Sequence, residues 1–276
     1  MSNIELTGTL QKRPSKSHSI KWFMPFLKKT MKKSIFLLLF LVFWEVLPRA
    51  GLVDRVFLPP LSEVLQTWWQ LMLSGELTSH ISASLVRSIS GYFLAVLIGI
   101  PVGLLIGWYT LAGDLLNPVI EVFRNTAPLA LLPVFTLILG IGETSKIAVV
   151  IYGCLWPILL NTTSGVRNVD PLLIKSAKSL GLSPFKIFQK VILPAAIPSI
   201  FIGLRLAASL SILVLIAAEM IGAKAGLGFL INYSQFSFQI PNMYAGIITI
   251  SFIGYLINAV LIRIEKKFSN WKPQKE

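Results

Sequence analysis

The chain has 276 residues, of which 54% are hydrophobic and only 13% charged. A soluble domain carries about 25% charged residues, so this composition excludes an ordinary water-soluble fold and indicates an all-α membrane protein with several spans. The net charge of +13 comes from basic clusters beside apolar runs. That is the distribution of a protein retained at the cytoplasmic face of a membrane, and no aromatic-studded basic surface for nucleic acid accompanies it.

In chain order, a basic tail (1–34) precedes the first apolar run, near 33–49. No small-x-small cleavage signal follows that run, so it reads as a retained span. Between it and the next run lies "FLPPLSEVLQTWWQLML". Pro59 and Pro60 stop the preceding structure, and Ser62 is placed to cap a helix starting at Glu63. Leu61, Val64, Leu65, Trp68, Leu71 and Met72 recur at helical spacing. This predicts an interfacial helix anchoring the first two spans, with a ligand-binding role as the alternative.

Five more apolar runs follow near 86–108, 121–141, 146–165, 197–221 and 244–264, giving six spans. The run near 121–141 contains Pro128 and Pro133, which predicts a broken or re-entrant helix sheltered by its neighbours. Cys154 is the single cysteine and sits inside an apolar run, as a buried packing residue does. The 166–196 connection holds Arg167, Lys175, Lys178, Lys186 and Lys190 against Asp170 alone, and the tail from residue 266 is also basic. Every basic block then falls on one side, with both termini cytoplasmic.

The 166–196 connection is too regular for a plain loop. Asp170-Pro171 is a helix start signal, and Leu173, Ala177 and Leu180 predict one apolar stripe. Gly181 is placed to terminate this helix. Ser183-Pro184 repeats the start signal, and Phe185, Phe188 and Ile192 form a second stripe that Pro194 and Pro198 are expected to end. Two short cytoplasmic helices result. They lie on the lipid surface or dock a cytoplasmic partner, and periodicity leaves both open.

The spacing Ala177-x-x-x-Gly181, nine residues, then "VILP" (191–194) resembles the cytoplasmic signature of ABC importer permeases. Gly181, Leu193 and Pro194 match that signature. Lys175 stands where the family usually has Glu, and Ser176 where it has Ala. "FLPPLSEVL", "APLALLPVFTLILGIGETSK" and "AAEMIGAKAGLGFLI" are similar to stretches of permeases for sulfonates, taurine, nitrate and bicarbonate. The resemblance implies a type I importer fold over residues 35–265, with an ATPase-coupling loop at 167–195. It also implies ABC ATPase subunits that hold the ATP and Mg, an extracytoplasmic binding protein and a second permease copy. The implied location is a bacterial inner membrane. The cargo would be a small anion, an aliphatic sulfonate such as taurine first, with nitrate, bicarbonate or a thiamin precursor as alternatives. A stand-alone secondary transporter or channel is the competing reading.

No phosphate-binding loop occurs in the chain, and no catalytic or metal-ligating constellation is evident. Ionisable residues within spans face a partner or a cavity. Arg124 and Asn125, at the start of the broken span, are candidates to line the cytoplasmic exit. Arg205 either lines an anion pathway or pairs with a neighbouring helix. Glu219 is a gate or binding-protein contact, or a plain helix-end residue. Gly226 and Gly228 imply a turn with close backbone approach.

Overall fold

A computed structural model describes residues 35–269, with side chains to Lys266; the basic tail 1–34 and residues 270–276 lie outside the described residues. The chain divides into two compact units, one ending at Ser62 and one starting at Glu63. Among the described residues there are helices and no strands.

In the first unit, helix α1 (35–49) is apolar around most of its circumference. Its Glu45 carboxylate accepts from the Ser62 backbone N–H (2.9 Å) and hydroxyl (2.8 Å). Helix α2 (Leu61–Leu73) therefore starts two residues before the predicted Glu63. Ser62 lies inside its first turn rather than capping it, because a distant carboxylate satisfies the free amide.

In the second unit, α2 is followed by α3 (Glu76–Trp108), α4 (Thr110–Arg124), a 3₁₀ turn (Pro128–Leu131), α5 (Leu132–Leu139) and α6 (Glu143–Arg167). Then come α7 (Pro171–Ser179), α8 (Pro184–Ile187), a π-turn (Phe188–Ile192), α9 (Leu193–Glu219), α10 (Leu227–Phe236) and α11 (Ile240–Ser269). Among the described residues four helices are long and apolar enough to cross a membrane, and five if the bent α4–α5 pair is one span. The first predicted span is described only over the fifteen residues of α1, fewer than the ~20 a crossing requires.

The second unit is built around α6. Gly91, Ala95, Gly99, Gly103 and Gly107 recur every four residues on α3, one small-residue stripe facing α6. A Cβ on Gly99 would lie 2.9 Å from Ile158, and one on Gly103 would lie 2.7 Å from Thr162. The stripe permits close parallel packing of α3 on α6, which in lipid depends on such contact because apolar burial gains nothing. On the other side of α6, antiparallel α9 presents Ala196, Gly203, Ala207 and Ser211. Cys154 is fully buried there, its thiol 3.3 Å from the Ala207 carbonyl.

Helix α2 rests on the α10–α11 side of this unit. Trp68 donates to the Thr249 hydroxyl of α11 (2.9 Å), and Leu71 packs with Leu77, Leu227 and Leu230. The expected anchoring of the first two spans is thus, in this unit, a clasp on α3, α10 and α11.

The predicted broken span is bent by 86° between α4 and α5. The break is satisfied rather than left open. The last carbonyls of α4 accept from side chains: Glu121 from Asn125 (2.7 Å), Val122 from Thr126 (3.2 Å) and Phe123 from the Tyr152 hydroxyl. Backbone groups freed inside a bilayer need such partners. Pro128 forces Ala127 into an extended conformation, which fixes the corner.

One expectation fails. Pro194 and Pro198 do not end the second short helix, and helix continues from Pro184 to Glu219. Proline removes one donor and crowds the preceding turn. The π-turn absorbs this, with Leu193 N–H donating five residues back to Phe188.

Candidate functional site

Three polar or amphipathic constellations occur in the second unit. The first is the α7–α8 pair at one end of the bundle. Asp170 accepts from Leu172 N–H (2.8 Å) and caps α7. At the other end, Leu182 N–H bonds Ala177 O (3.2 Å) and Gly181 N–H bonds Lys178 O (2.9 Å). This double bond pattern requires the left-handed residue at Gly181, where φ is +72°. Ala177, Ile187 and Ile192 are buried against Val166, Val169, Ala196 and Ile200, and Phe188 packs on Trp108.

Outward, the pair exposes Leu172, Leu173, Leu180 (80%) and Phe185 (69%). The predicted stripe of Leu173, Ala177 and Leu180 is therefore split. Ala177 turns inward with Ile174, and the two leucines face out. Helical period locates an apolar arc, but which residues of that arc face the bundle depends on how α7 docks. Lys175 and Lys178 are exposed, Leu193 is half-buried, and Pro194 lies inside the continuous helix.

The second constellation is the α4–α5 break. Arg124 pairs with Glu121 of its own helix at 2.7 Å, both substantially exposed, and Asn125 is committed to capping. Tyr152, which reaches Phe123, lies nine residues into α6, ~13 Å from its start. The break therefore lies alongside α6 part-way from its start, and α4 begins at Thr110, eleven residues before the predicted 121.

Arg205 does not join them. It pairs with Glu265 of α11 at 2.9 Å. Glu219 lies fourteen residues further along α9, ~21 Å away.

The third constellation surrounds Glu219, which is fully buried at the end opposite the α7–α8 pair. Its carboxylate accepts from Arg87 (2.6 Å), Ser84 (2.8 Å) and Gly228 N–H (3.0 Å). Arg87 also donates to Ala225 O (2.7 Å) and pairs bidentately with Glu143. Ser84 accepts from Leu227 N–H (2.8 Å), and His80 Nδ1 accepts from Gly226 N–H (3.1 Å). The close backbone approach expected at Gly226 and Gly228 is present. A Cβ at Gly228 would lie 2.8 Å from the Glu219 Cβ, and one at Gly226 would collide with the Glu219 carboxylate.

Sequence reasoning missed Arg87, Glu143 and Lys146, and it placed His80 outside the spans. Helix α3 starts ten residues before the predicted 86, which brings His80 and Ser84 into it beside Arg87, already within the predicted run. The available signal was a charge at the lip of an apolar run.

Residues 95–271 match the family described as binding-protein-dependent transport system inner membrane component. The chain belongs to this family. The permease is 33% identical to the taurine transport system permease TauC of Escherichia coli K12, over 92% of this chain and 94% of that protein. It is 34% identical to the bicarbonate transport system permease CmpB of a Synechocystis strain, over 82% and 84% respectively. Its fold is similar to a chain of the inward-facing MetNI methionine ABC transporter, with a TM-score of 0.62 at 20% identity, over 70% of this permease and 95% of that chain. The permease thus has the type I ABC importer fold in a multi-pass membrane protein. It belongs to a class whose ATP hydrolysis resides in a separate ATPase. Among the described residues no cluster of three metal-ligating side chains occurs.

Proposed function

We propose that this ABC importer permease carries a small anion, an aliphatic sulfonate such as taurine first, and takes its energy through the α7–α8 pair. The observation that supports this most is the two-sided packing of that pair. Its inner residues bind it firmly to α3, α6 and α9, while Leu172, Leu173, Leu180 and Phe185 stand outward as an apolar ridge. Such a ridge fits a groove on an ATPase subunit. Displacement at α8 is carried along 36 continuous helical residues to Glu219, a lever of ~54 Å.

The ridge lies on the cytoplasmic side in this reading, because Arg167, Lys175, Lys178, Lys186 and Lys190 crowd that end. Both termini share that side, and the first apolar run, of which α1 is the described part, supplies a sixth crossing. Two copies enclose the pathway. The Glu121–Arg124 pair and Asn125 line it at mid-depth, since charged groups there must face water or protein rather than lipid. An extracytoplasmic binding protein delivers the cargo at the opposite end. The names of the taurine and bicarbonate relatives favour a small anion.

The test is purification of the tagged permease from its native membrane with Leu180→Asp or Phe185→Asp. Both residues are exposed, so the permease itself should fold and elute as the wild type does. The ATPase should be lost from both preparations, and ATP-driven taurine uptake into proteoliposomes should stop. Uptake that ignores ATP depletion, with ATPase retention unchanged, would overturn the reading in favour of a stand-alone transporter or channel.

A further inference from the structure

The geometry points to a binding site for one monovalent oxyanion at the outer end of the bundle, on the edge of Arg87 that Glu143 occupies in this structure. Glu143 is the internal counter-ion that the cargo displaces. This deepens the importer reading above, which supplies the sidedness and the anionic cargo.

The buried charges do not balance. Among the described residues the buried charged side chains are Arg87, Lys146 and Glu219, and all three lie at this end. Two cations face one carboxylate, and an excess buried charge is costly to leave without an anion. Glu219 cannot serve both cations, since Arg87 Nη1, Ser84 and Gly228 N–H already take its oxygens. Lys146 forms no ion pair among the described residues. Its ammonium donates only to Gly142 O (3.1 Å) and Gly222 O (3.4 Å).

The balancing charge comes from an exposed residue. The Glu143 side chain is 64% exposed, and Arg87 is its one hydrogen-bonding partner among the described residues. It meets Arg87 at Nε and Nη2 (2.6 Å for the latter), the fork that takes two oxygens of an oxyanion side by side. The other edge, Nη1, remains with Glu219 and Ala225 O whether Glu143 is bound or not. Glu143 can therefore rotate into water while the fully buried Glu219 keeps its partner. The fork it vacates lies one helical turn from Lys146, since residues 143 and 146 are neighbours on one face of α6. A sulfonate, nitrate or bicarbonate carries one negative charge and at least two oxygens, so each restores the balance. An internal carboxylate competes at an effective concentration on the order of mM. A site guarded in this way fills only from a donor that presents cargo at the mouth.

The experiment titrates methanesulfonate into the purified permease–ATPase complex by calorimetry, against a constant chloride background. Glu143→Gln removes the internal competitor and should lower the Kd several-fold relative to wild type. Glu76→Gln removes an exposed carboxylate from the first residue of α3, ~16 Å along that helix from Arg87, and should leave the Kd unchanged. Arg87→Lys in the Glu143→Gln background keeps a positive charge beside Glu219 but lacks the fork, and should abolish the gain. Equal Kd values in wild type and Glu143→Gln overturn the site. So does a matching gain in Glu76→Gln, which would mean a general attraction for anions. ATP-driven taurine uptake by wild-type proteoliposomes separates this site from the reading it rests on. Uptake present, with one Kd shared by wild type and Glu143→Gln, refutes the site alone. Uptake absent, with the Kd lowered in Glu143→Gln alone, upholds the site and refutes the ATPase-coupled cargo reading.

Discussion

Arg87 and Glu219 meet at 2.6 Å with side chains 4% and 0% exposed, joining α3 to α9 at the end remote from the α7–α8 pair. Removing one member of a buried pair costs about 3–5 kcal/mol, because the other is left charged without a partner. Glu219→Ala and Arg87→Met should each lower stability by roughly that amount. The double variant should lose less than the sum of the two. Chemical unfolding in detergent, read as a double-mutant cycle, measures this; strict additivity would mean the pair is not coupled.

The glycine turn against Glu219 should tolerate no side chain. Gly228→Ala sets a methyl group against the Glu219 Cβ and the Ile216 backbone carbonyl. Backbone cannot yield as a flexible side chain can, so a loss of about 1–3 kcal/mol is expected. Gly222→Ala faces open space and carries only the penalty of a left-handed φ of +67°, about 1 kcal/mol. The order of the two thermal midpoints checks the assignment, with Gly228→Ala the lower.

Tyr152→Phe tests the satisfied break. It leaves the Phe123 carbonyl at the corner without its donor, at a cost of about 1–3 kcal/mol. Hydrogen exchange at Asn125 and Thr126 should accelerate while α3 stays protected. Uniform exchange across both regions would show that the bond does not hold the corner.

Arg205 gives a different expectation. Its pair with Glu265 is partly exposed on both sides, so Glu265→Gln should change stability by no more than ~1 kcal/mol. If the pair is a tie between α9 and α11, Arg205→Lys should transport cargo as the wild type does. A fall in uptake rate with unchanged stability would instead assign Arg205 to the pathway.

Much of this molecule is legible in one dimension because lipid imposes simple demands. Apolar runs of span length, the Asp170 cap and the terminating Gly181 follow from local chemistry, and among the described residues four helices of span length, that cap and that left-handed glycine are present. The stripe of Gly91, Ala95, Gly99, Gly103 and Gly107 was equally readable and went unread. Hydropathy marks which segments enter a membrane but says nothing of which faces meet.

What the sequence by itself determined is the class of protein, its helices and the site where the short helix pair forms. Only the tertiary structure decided which leucines of that pair face outward, since helical period gives an arc and docking chooses its centre. Only it continued the helix through Pro194, because a π-turn is a cooperative adjustment that no single residue announces. And only it brought Arg87, Glu143 and Glu219 together from three helices. Each is an unremarkable charge near a helix end until burial makes its partner a necessity.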